Sequence, residues 1–494
     1  MSSFAPSHPA HDRRVSPALV LTTMAAAVFL LSMVQTLVVP VLPQMGLQLG
    51  VSATTVGWVT TATMLTASAV TPLLGRLGDV YGHKPVIVAA LIVTLAGSVI
   101  AATTHDISLL ILGRVLQGAS FGLFPLAISV LRHEMPIERL TGSMAVAASA
   151  LGVGSGVALV ATGLLTRGDA DYRRIFWLTV VMTLLVLALA VVALPRRAGR
   201  GGRVDYLGAL VLGLGLVALL LPISQGHQWG WGSVRVIGLF VTALIVLAAF
   251  LLLQARTAEP LVAIKLLSHR PVLATNLASL CIGFAMFSVF LGATYFVQSP
   301  EQVAGFGFTA SVLRTSVVFM LPGAVVAMVM GPIAGHLVGR IGPRLVLLGA
   351  SLLGLVGMVL LAAVHETTVE VIVALVIANA AIATAYAAMP ALLVMNVAPH
   401  ETGIANSINS IMRTVGGAIG SAVVITILAG EVALHAIPGG SIALPTEGAY
   451  VTAFVLGTVS FALAALLAAF GIGRQPHVSA EELADEELEA LVSA

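Results

Sequence analysis

Apolar stretches of about twenty residues alternate along the chain with short breaks made of charge, glycine or proline. They fall at 17–42, 53–74, 85–104, 107–131, 140–166, 174–195, 205–224 and 234–255. Six more follow, at 271–297, 312–338, 343–364, 370–396, 404–429 and 448–472. None keeps the strict apolar–polar alternation of a half-buried strand, and about twenty apolar residues carry a helix across the hydrocarbon core of a bilayer. The pattern predicts an all-α integral membrane protein with fourteen transmembrane helices.

Composition sharpens this. Hydrophobic residues make up 59% of the chain and charged residues 9%, against about 25% charged in a soluble domain. The start, MSSFAPSHPAHDRRVSPALVL, has no apolar core followed by an Ala-x-Ala cleavage site, so the first span reads as uncleaved. A net charge of +2 gives no footprint for nucleic acid. The single Cys281 lies in an apolar run and excludes an internal disulfide or a cysteine-based metal cluster. No cofactor and no metal are expected.

Basic residues set the orientation. With the N-terminus inside, sixteen of the 23 Lys and Arg fall on the cytoplasmic side. Five fall outside (Arg167, Arg173, Arg174, Arg235 and Arg314), and Arg114 and Arg413 lie within spans. The expectation is a multi-pass protein of a prokaryotic plasma membrane with both termini cytoplasmic and the loops near 300–305 and 435–445 outside. It divides into a cytoplasmic tail (1–16), a six-helix half (17–195), a basic loop (196–204), two inserted helices (205–256), a second six-helix half (257–472) and an acidic cytoplasmic tail (473–494). The run RRAGRGGR reads as a positive-inside loop rather than a lipid-binding patch.

Two loops repeat. GRLGDVYGHKP (75–85) and GHLVGRIGPR (335–344) align Gly75, Leu77 and Gly82 with Gly335, Leu337 and Gly342, and Lys84 with Arg344, 260 residues apart. Gly339 stands where the first copy has Asp79. Parallel internal repeats of this kind build many secondary transporters. The offset exceeds six spans with short loops and leaves room for the two inserted helices.

With these residues in view, the chain resembles the major facilitator superfamily, specifically its fourteen-span drug:proton antiporter-like branch, from residue 17 to 472. The first loop is similar to the family's Gly-x-Leu-x-Asp-x-x-Gly-x-Lys/Arg motif at Gly75, Leu77, Asp79, Gly82 and Lys84. LILGRVLQGASFG is similar to its Arg-x-x-Gln-Gly motif at Arg114, Gln117 and Gly118. VDYLGALVLGLGLVALLLPISQGHQWGW resembles the branch's first inserted helix, and GIANSINSIMRTVGGAIG its thirteenth span. The resemblance implies two six-helix halves plus two inserted helices, and a secondary active transporter working by alternating access. Its small-molecule substrates would be hydrophobic or amphipathic and exported, its other partners the lipid bilayer and a coupling proton, and its working form a monomer. It also implies a cytoplasmic gate in which Asp79 faces the start of span 13 near Gly403. The second copy of the gate motif, Gly335, Gly342 and Arg344, would lack that carboxylate.

Charge inside the membrane is costly and marks function by default. Arg114 shares a helix face with Leu110, Gln117, Gly118 and Phe121 and is expected to line a central cavity. Arg413 serves a cavity or reaches the inner headgroups. No Asp or Glu lies in the middle of any span. Where the family's antiporters carry an acid on span 1 this chain has Val34, followed by Gln35 and Thr36. The amide of Gln35 is expected beside Arg114, and Asp205 or Glu370 at span ends offer the alternative proton carriers. On span 5 the family's central Gly-Pro is absent, but Gly152, Gly154, Gly156 and Gly163 keep a small-residue face for close helix packing. Candidate cavity residues are Gln35, Thr36, Trp58, Thr61, Asn276, Phe287, Tyr295, Asn379, Tyr386, Asn406, Asn409 and Arg413. This neutral mix favours amphipathic or apolar substrates over sugars and metals.

Alternatives are a facilitator, importer or lipid translocator with altered or absent proton coupling, and a non-transporting receptor or scaffold. An enzyme is not expected. The chain has no His-Glu-x-x-His, no paired intramembrane acids and no Gly-x-x-x-x-Gly-Lys-Ser/Thr loop for ATP.

Overall fold

The computed structural model describes residues 16–168, 170–199, 201–257, 260–262, 264–397, 402–437 and 440–473. The two expected tails, but for Ser16 and Gly473, and Arg200 of the basic loop lie outside the described residues. Among the described residues there are fourteen long helices, numbered in order. Helix 1 (Pro17–Thr36) continues through a 3-10 turn into Leu42–Leu49, and is followed by helix 2 (Ala53–Tyr81) and helix 3 (His83–Thr103). Helix 4 (Ile107–Gln117) passes through a 3-10 segment, Gly118–Gly122, into Leu123–Glu134. Helices 5 (Ile137–Leu165) and 6 (Arg173–Ala193) complete the first half, and helices 7 (Tyr206–Trp229) and 8 (Val234–Arg256) are the insertion. The second half comprises helix 9 (Arg270–Gln298), helix 10 (Val312–Ile341, with a π-helical stretch at Thr315–Met320), helix 11 (Pro343–Ala363), helix 12 (Thr368–Val394), helix 13 (Thr402–Gly430) and helix 14 (Glu447–Gly471).

Thirteen of these helices are long and apolar enough to cross a membrane, one fewer than the fourteen expected. Helix 2 falls short, because its 29 residues include seven threonines together with Arg76 and Asp79. It still runs through the bundle, packed against helices 4, 7 and 13. Its hydroxyls cost little there because they bond back within the helix. Thr60, Thr63, Thr66 and Ser68 donate to the carbonyls of Gly57, Val59, Ala62 and Met64 at 2.8–3.1 Å. Between helices 13 and 14, where the sequence reading has only an outer loop, Val432–Ile437 and Gly440–Pro445 pair as an antiparallel hairpin.

Side-chain caps start many of the helices, as exposed helix N-termini require. Ser16, Ser52, Asp106, Asp205, Ser233 and Thr446 each accept a hydrogen bond from a first-turn amide. Thr367 and Glu370 form a reciprocal capping box on helix 12.

The loop repeat is also a repeat in space. Gly82 (φ 93°, ψ 148°) and Gly342 (φ 81°, ψ 151°) end helices 2 and 10 in the same backbone conformation, one that only glycine adopts freely. The basic residue two positions on then reaches the last helix of its own half. Lys84 Nζ donates to the carbonyls of Val191 (2.7 Å) and Leu194 (2.5 Å) at the end of helix 6. Arg344 donates to Ala468 (3.0 Å) and Ala469 (2.5 Å) at the end of helix 14. A cation on terminal carbonyls satisfies the acceptors and the helix dipole together.

The halves meet along two seams. Helix 5 lays Gly152, Gly156 and Gly163 against Met328, Leu321 and Leu313 of helix 10, and a Cβ added at Gly163 would lie 2.7 Å from Leu313. Helix 2 meets helix 13 where Gly57 faces Ile425 and Thr61 shares a 2.9 Å hydrogen bond with Ser421. Gln298 adds a bond to the Pro40 carbonyl at 2.7 Å. These contacts lie in the middle of the bundle or in the half away from the Gly75–Lys84 loop. At the loop end, nothing lies within 4 Å of a Cβ placed on Gly75, Gly335 or Gly339. Helix 7 backs the second seam, with Ala209, Leu212 and Leu216 sharing an apolar cluster with Ile408 and Ile411 of helix 13 and Leu65 and Leu73 of helix 2.

The two turn glycines make a testable pair. Gly342→Ala is expected to cost about 1–3 kcal/mol from backbone strain alone, since nothing lies within 4 Å of the added carbon. Gly82→Ala should cost more, because its Cβ would also meet the Arg197 carbonyl. Thermal unfolding of the detergent-purified variants measures the difference.

Candidate functional site

Arg114 is the most enclosed charge among the described residues, with 1% of its surface exposed. Helix 4 brings it inward from a start capped by Asp106, whose carboxylate accepts from the amides of Ser108 (2.8 Å) and Leu109 (2.9 Å). Glycines at its crossings let the neighbours close in. A Cβ on Gly113 would lie 2.7 Å from the Gly97 carbonyl of helix 3, and one on Gly118 would lie 2.7 Å from Thr66 of helix 2. Arg114 Nε donates to the Val59 carbonyl of helix 2 at 2.9 Å, and Nη1 donates to the Val34 carbonyl of helix 1 at 3.3 Å and to Gln117 at 2.5 Å. Gln117 passes the connection to Ser98 of helix 3 at 2.8 Å. One guanidinium thus ties helices 1, 2 and 4 directly and helix 3 through an amide.

This corrects two expectations. Arg114 lies inside the packing of the first half rather than on an open cavity wall. Its helix 1 partner is the backbone carbonyl of Val34, not the amide of Gln35, which stays partly exposed. With no acid in reach, carbonyl dipoles are the oxygens available to a charge that does not deprotonate.

The expected cavity residues divide into two groups. Thr36 bonds Ser155 of helix 5 at 3.1 Å, and Ser155 also bonds Ser32 at 2.7 Å, which clamps helix 1 to helix 5. Gly154 completes that contact, since a Cβ there would lie 2.7 Å from the Phe29 carbonyl. Thr61 belongs to the seam with Ser421. Asn276 accepts from Asn409 at 3.3 Å, and Ser279 donates to Asn409 at 3.2 Å, which joins helices 9 and 13. Asn379 bonds its own helix at 2.9 Å beneath Gly323, and Phe287 is buried against Gly417. These six residues hold helices together. Gln35, Trp58, Tyr295, Tyr386, Asn406 and Arg413 remain partly exposed. Tyr386 donates to the Met286 sulfur at 3.1 Å and its ring lies 4.7 Å beneath the Arg413 guanidinium. The sequence reading missed Ser98, Ser155, Ser421 and Met286. Ser155 alone carried a signal, lying within the small-residue run of helix 5.

At the loop end Asp79 has 48% of its side chain exposed, and its ionic neighbour among the described residues is His83, 3.9 Å away. The side chains at the start of helix 13, its expected partner, lie outside the described residues. His83 in turn bonds Ser129 at 2.6 Å, and Arg197 pairs with Glu134. Asp205 accepts from the Gly208 amide at 2.7 Å and from Gln254 at 2.5 Å, and Glu370 accepts from the Thr367 amide at 2.8 Å. Both carboxylates are committed to helix starts.

Arg114→Ala is expected to lower the thermal stability of the purified protein sharply and abolish activity. Breaking a buried charged network typically costs several kcal/mol, and the loss leaves the Gln117 side-chain oxygen without its donor. Gln117→Ala, which leaves both carbonyl bonds of the guanidinium in place, should be milder on the same unfolding curve.

Comparison with known proteins agrees with this architecture. The family model described as Major Facilitator Superfamily matches residues 24–421, and again 331–493. Over 480 residues the chain is 30% identical to the puromycin resistance protein pur8 of Streptomyces alboniger, covering 95% of this chain and 92% of that one. It is 32% identical over 303 residues to an uncharacterized MFS-type transporter of Mycobacterium tuberculosis, a match of 60% of this chain that spans 43% of that relative's length. It is 25% identical to the multidrug transporter protein MdtP of Bacillus subtilis over 58% of this chain and 53% of that one. Among solved structures, a peptide transporter POT in complex with sulfate superposes with a TM-score of 0.66 at 13% identity, over 91% of this chain and 94% of that one. At that identity the likeness concerns fold alone. A family model matched over most of the chain, on a bundle of two repeated halves, places this protein in the Major Facilitator Superfamily.

Proposed function

We propose that the protein exports hydrophobic or amphipathic small molecules by alternating access, as a member of the fourteen-span branch of its family. The observation that carries this reading is the pair of repeated halves. They are related by the loop repeat and touch through seams lined by glycines and small hydroxyls. A rocking motion about helices 5 and 10 and about helices 2 and 13 would close one end and open the other. The names of the relatives support export of bulky organic compounds, among them the tetracenomycin C resistance and export protein of Streptomyces glaucescens. The bias of basic residues supports a cytoplasmic position for the loop end and for both termini. On that reading Asp79, half exposed in the described conformation, meets helix 13 when the cytoplasmic side closes.

The same reading bears on energy coupling. Proton antiport needs a group near the substrate that gains and loses a proton. The spans hold no carboxylate at mid-depth, and Asp205 and Glu370 serve as helix caps, which supports transport with little response to a pH gradient.

Counterflow of a fluorescent amphipathic dye in proteoliposomes, with a pH step imposed at zero potential, tests both points. Dye movement is expected, with little acceleration by the step. Absence of carrier-dependent flux across a panel of amphipathic dyes would overturn the exporter reading, and steep, reversible acceleration would overturn the coupling reading. In the same assay Asp79→Asn should cripple flux without altering thermal unfolding. A latch worth about 1–2 kcal/mol shifts the balance of two conformations roughly five- to thirty-fold.

A further inference from the structure

Two arginines lie deep in the bundle, in opposite circumstances. Arg114 is sealed, with donors spent on Val34, Val59 and Gln117. Arg413 is partly exposed, and among the described residues no oxygen accepts a hydrogen bond from it. Its guanidinium carbon instead lies over the Tyr386 ring of helix 12, 4.7 Å from the centroid, a cation–π contact. The Tyr386 ring is itself oriented from below, its hydroxyl donating to the Met286 sulfur of helix 9 at 3.1 Å.

Depth argues against a headgroup role. Helix 13 runs for 29 residues from Thr402 to Gly430. At about 1.5 Å of rise per residue, Arg413 lies roughly 16 Å from the nearer end and about 5 Å from the midpoint. Stacking on Tyr386 holds the side chain at that depth, where snorkelling would draw it away. Two turns further along, Ser421 and Ile425 meet helix 2 across the seam, so Arg413 lies near the middle of the helix that forms the contact between the halves.

A guanidinium presents its N–H groups as a rigid fork that matches a carboxylate. The spans supply no Asp or Glu to take it. We propose that Arg413, presented by Tyr386, is the anion-binding group of the central cleft, and that it receives the carboxylate of an amphipathic substrate whose apolar body lies against Tyr386 and Met286. This deepens the exporter reading and rests on it. It also changes the substrate class suggested by composition, where the neutral polar residues outweighed a charge whose surroundings were not visible.

Binding is measured on the detergent-purified full-length protein with naphthalene-2-carboxylate and naphthalene-2-carboxamide, which share a body and differ in charge. The wild type should bind the carboxylate about tenfold tighter or better. Arg413→Gln should erase that preference, Arg413→Lys should keep part of it, and Tyr386→Leu should reduce it. Equal binding of the two probes by the wild type, or a preference that survives in Arg413→Gln, would overturn the proposal. So would the outcome in which added short-chain phosphatidylglycerol stabilises the wild type but not Arg413→Gln while the naphthalene pair is not distinguished, since the anion site would then belong to a lipid phosphate. Because the readout is binding, the two readings fail separately. A protein that moves neutral dyes and ignores the carboxylate remains an exporter, and one that binds the carboxylate and moves nothing keeps its anion site.

Discussion

A charge held away from water must spend its donors on whatever oxygen lies within reach, and in this protein Arg114 spends them on the backbone of its neighbours. The consequence is mechanical. Bonds to Val34 and Val59, and through Gln117 to Ser98, lock four helices of the first half into one body. The close crossings at Gly97, Gly113 and Gly118 are needed to bring those carbonyls within range, because any side chain there would hold the backbones apart. Alternating access asks for halves that move as units, and this network supplies the stiffness of one of them.

Stiffness within a half is matched by smooth contact between halves. Gly152, Gly156 and Gly163 present a face of small residues to helix 10, and the hydroxyls of Thr61 and Ser421 link helices 2 and 13. Contacts of this kind hold by close packing rather than by directional bonds, and packing surfaces of small residues can re-form after a shift. Each half also closes on itself in the same way. Lys84 and Arg344 pull the last helix of their own half onto the turn that follows its second helix, so the repeated loop serves as a clasp.

The acids follow a different logic. In hydrocarbon a carboxylate needs a proton or a partner, and this chain keeps its carboxylates near the ends of spans, where amides of helix starts are waiting. Asp106, Asp205 and Glu370 are all used in this way. The deep interior is left with positive charge only: Arg114 is saturated by carbonyls and an amide, and Arg413 lies over the ring of Tyr386.

Hydropathy alone placed nearly every helix to within a few residues, because a membrane span is a local property: twenty apolar residues must be consecutive to satisfy the bilayer. The loop repeat was equally legible, since Gly82 and Gly342 are dictated by backbone conformation and Lys84 and Arg344 by the turn they follow. Helix 2 reads as a span from its apolar stretch, and several of its threonines bond to carbonyls of their own helix. What the chain order could not reveal was which groups meet through space. That Arg114 takes the carbonyl of Val34 and not the amide of Gln35, that Asn276 finds Asn409, and that six of the expected cavity residues are structural clamps depends on helix rotation and on crossings 55 to 133 residues apart in sequence. Asp205 and Glu370 look like candidate proton carriers as letters and become caps once the amides beside them are fixed. Arg413 is the clearest case: its sequence neighbours say only that it is deep, and tertiary packing decides that its guanidinium lies over the Tyr386 ring.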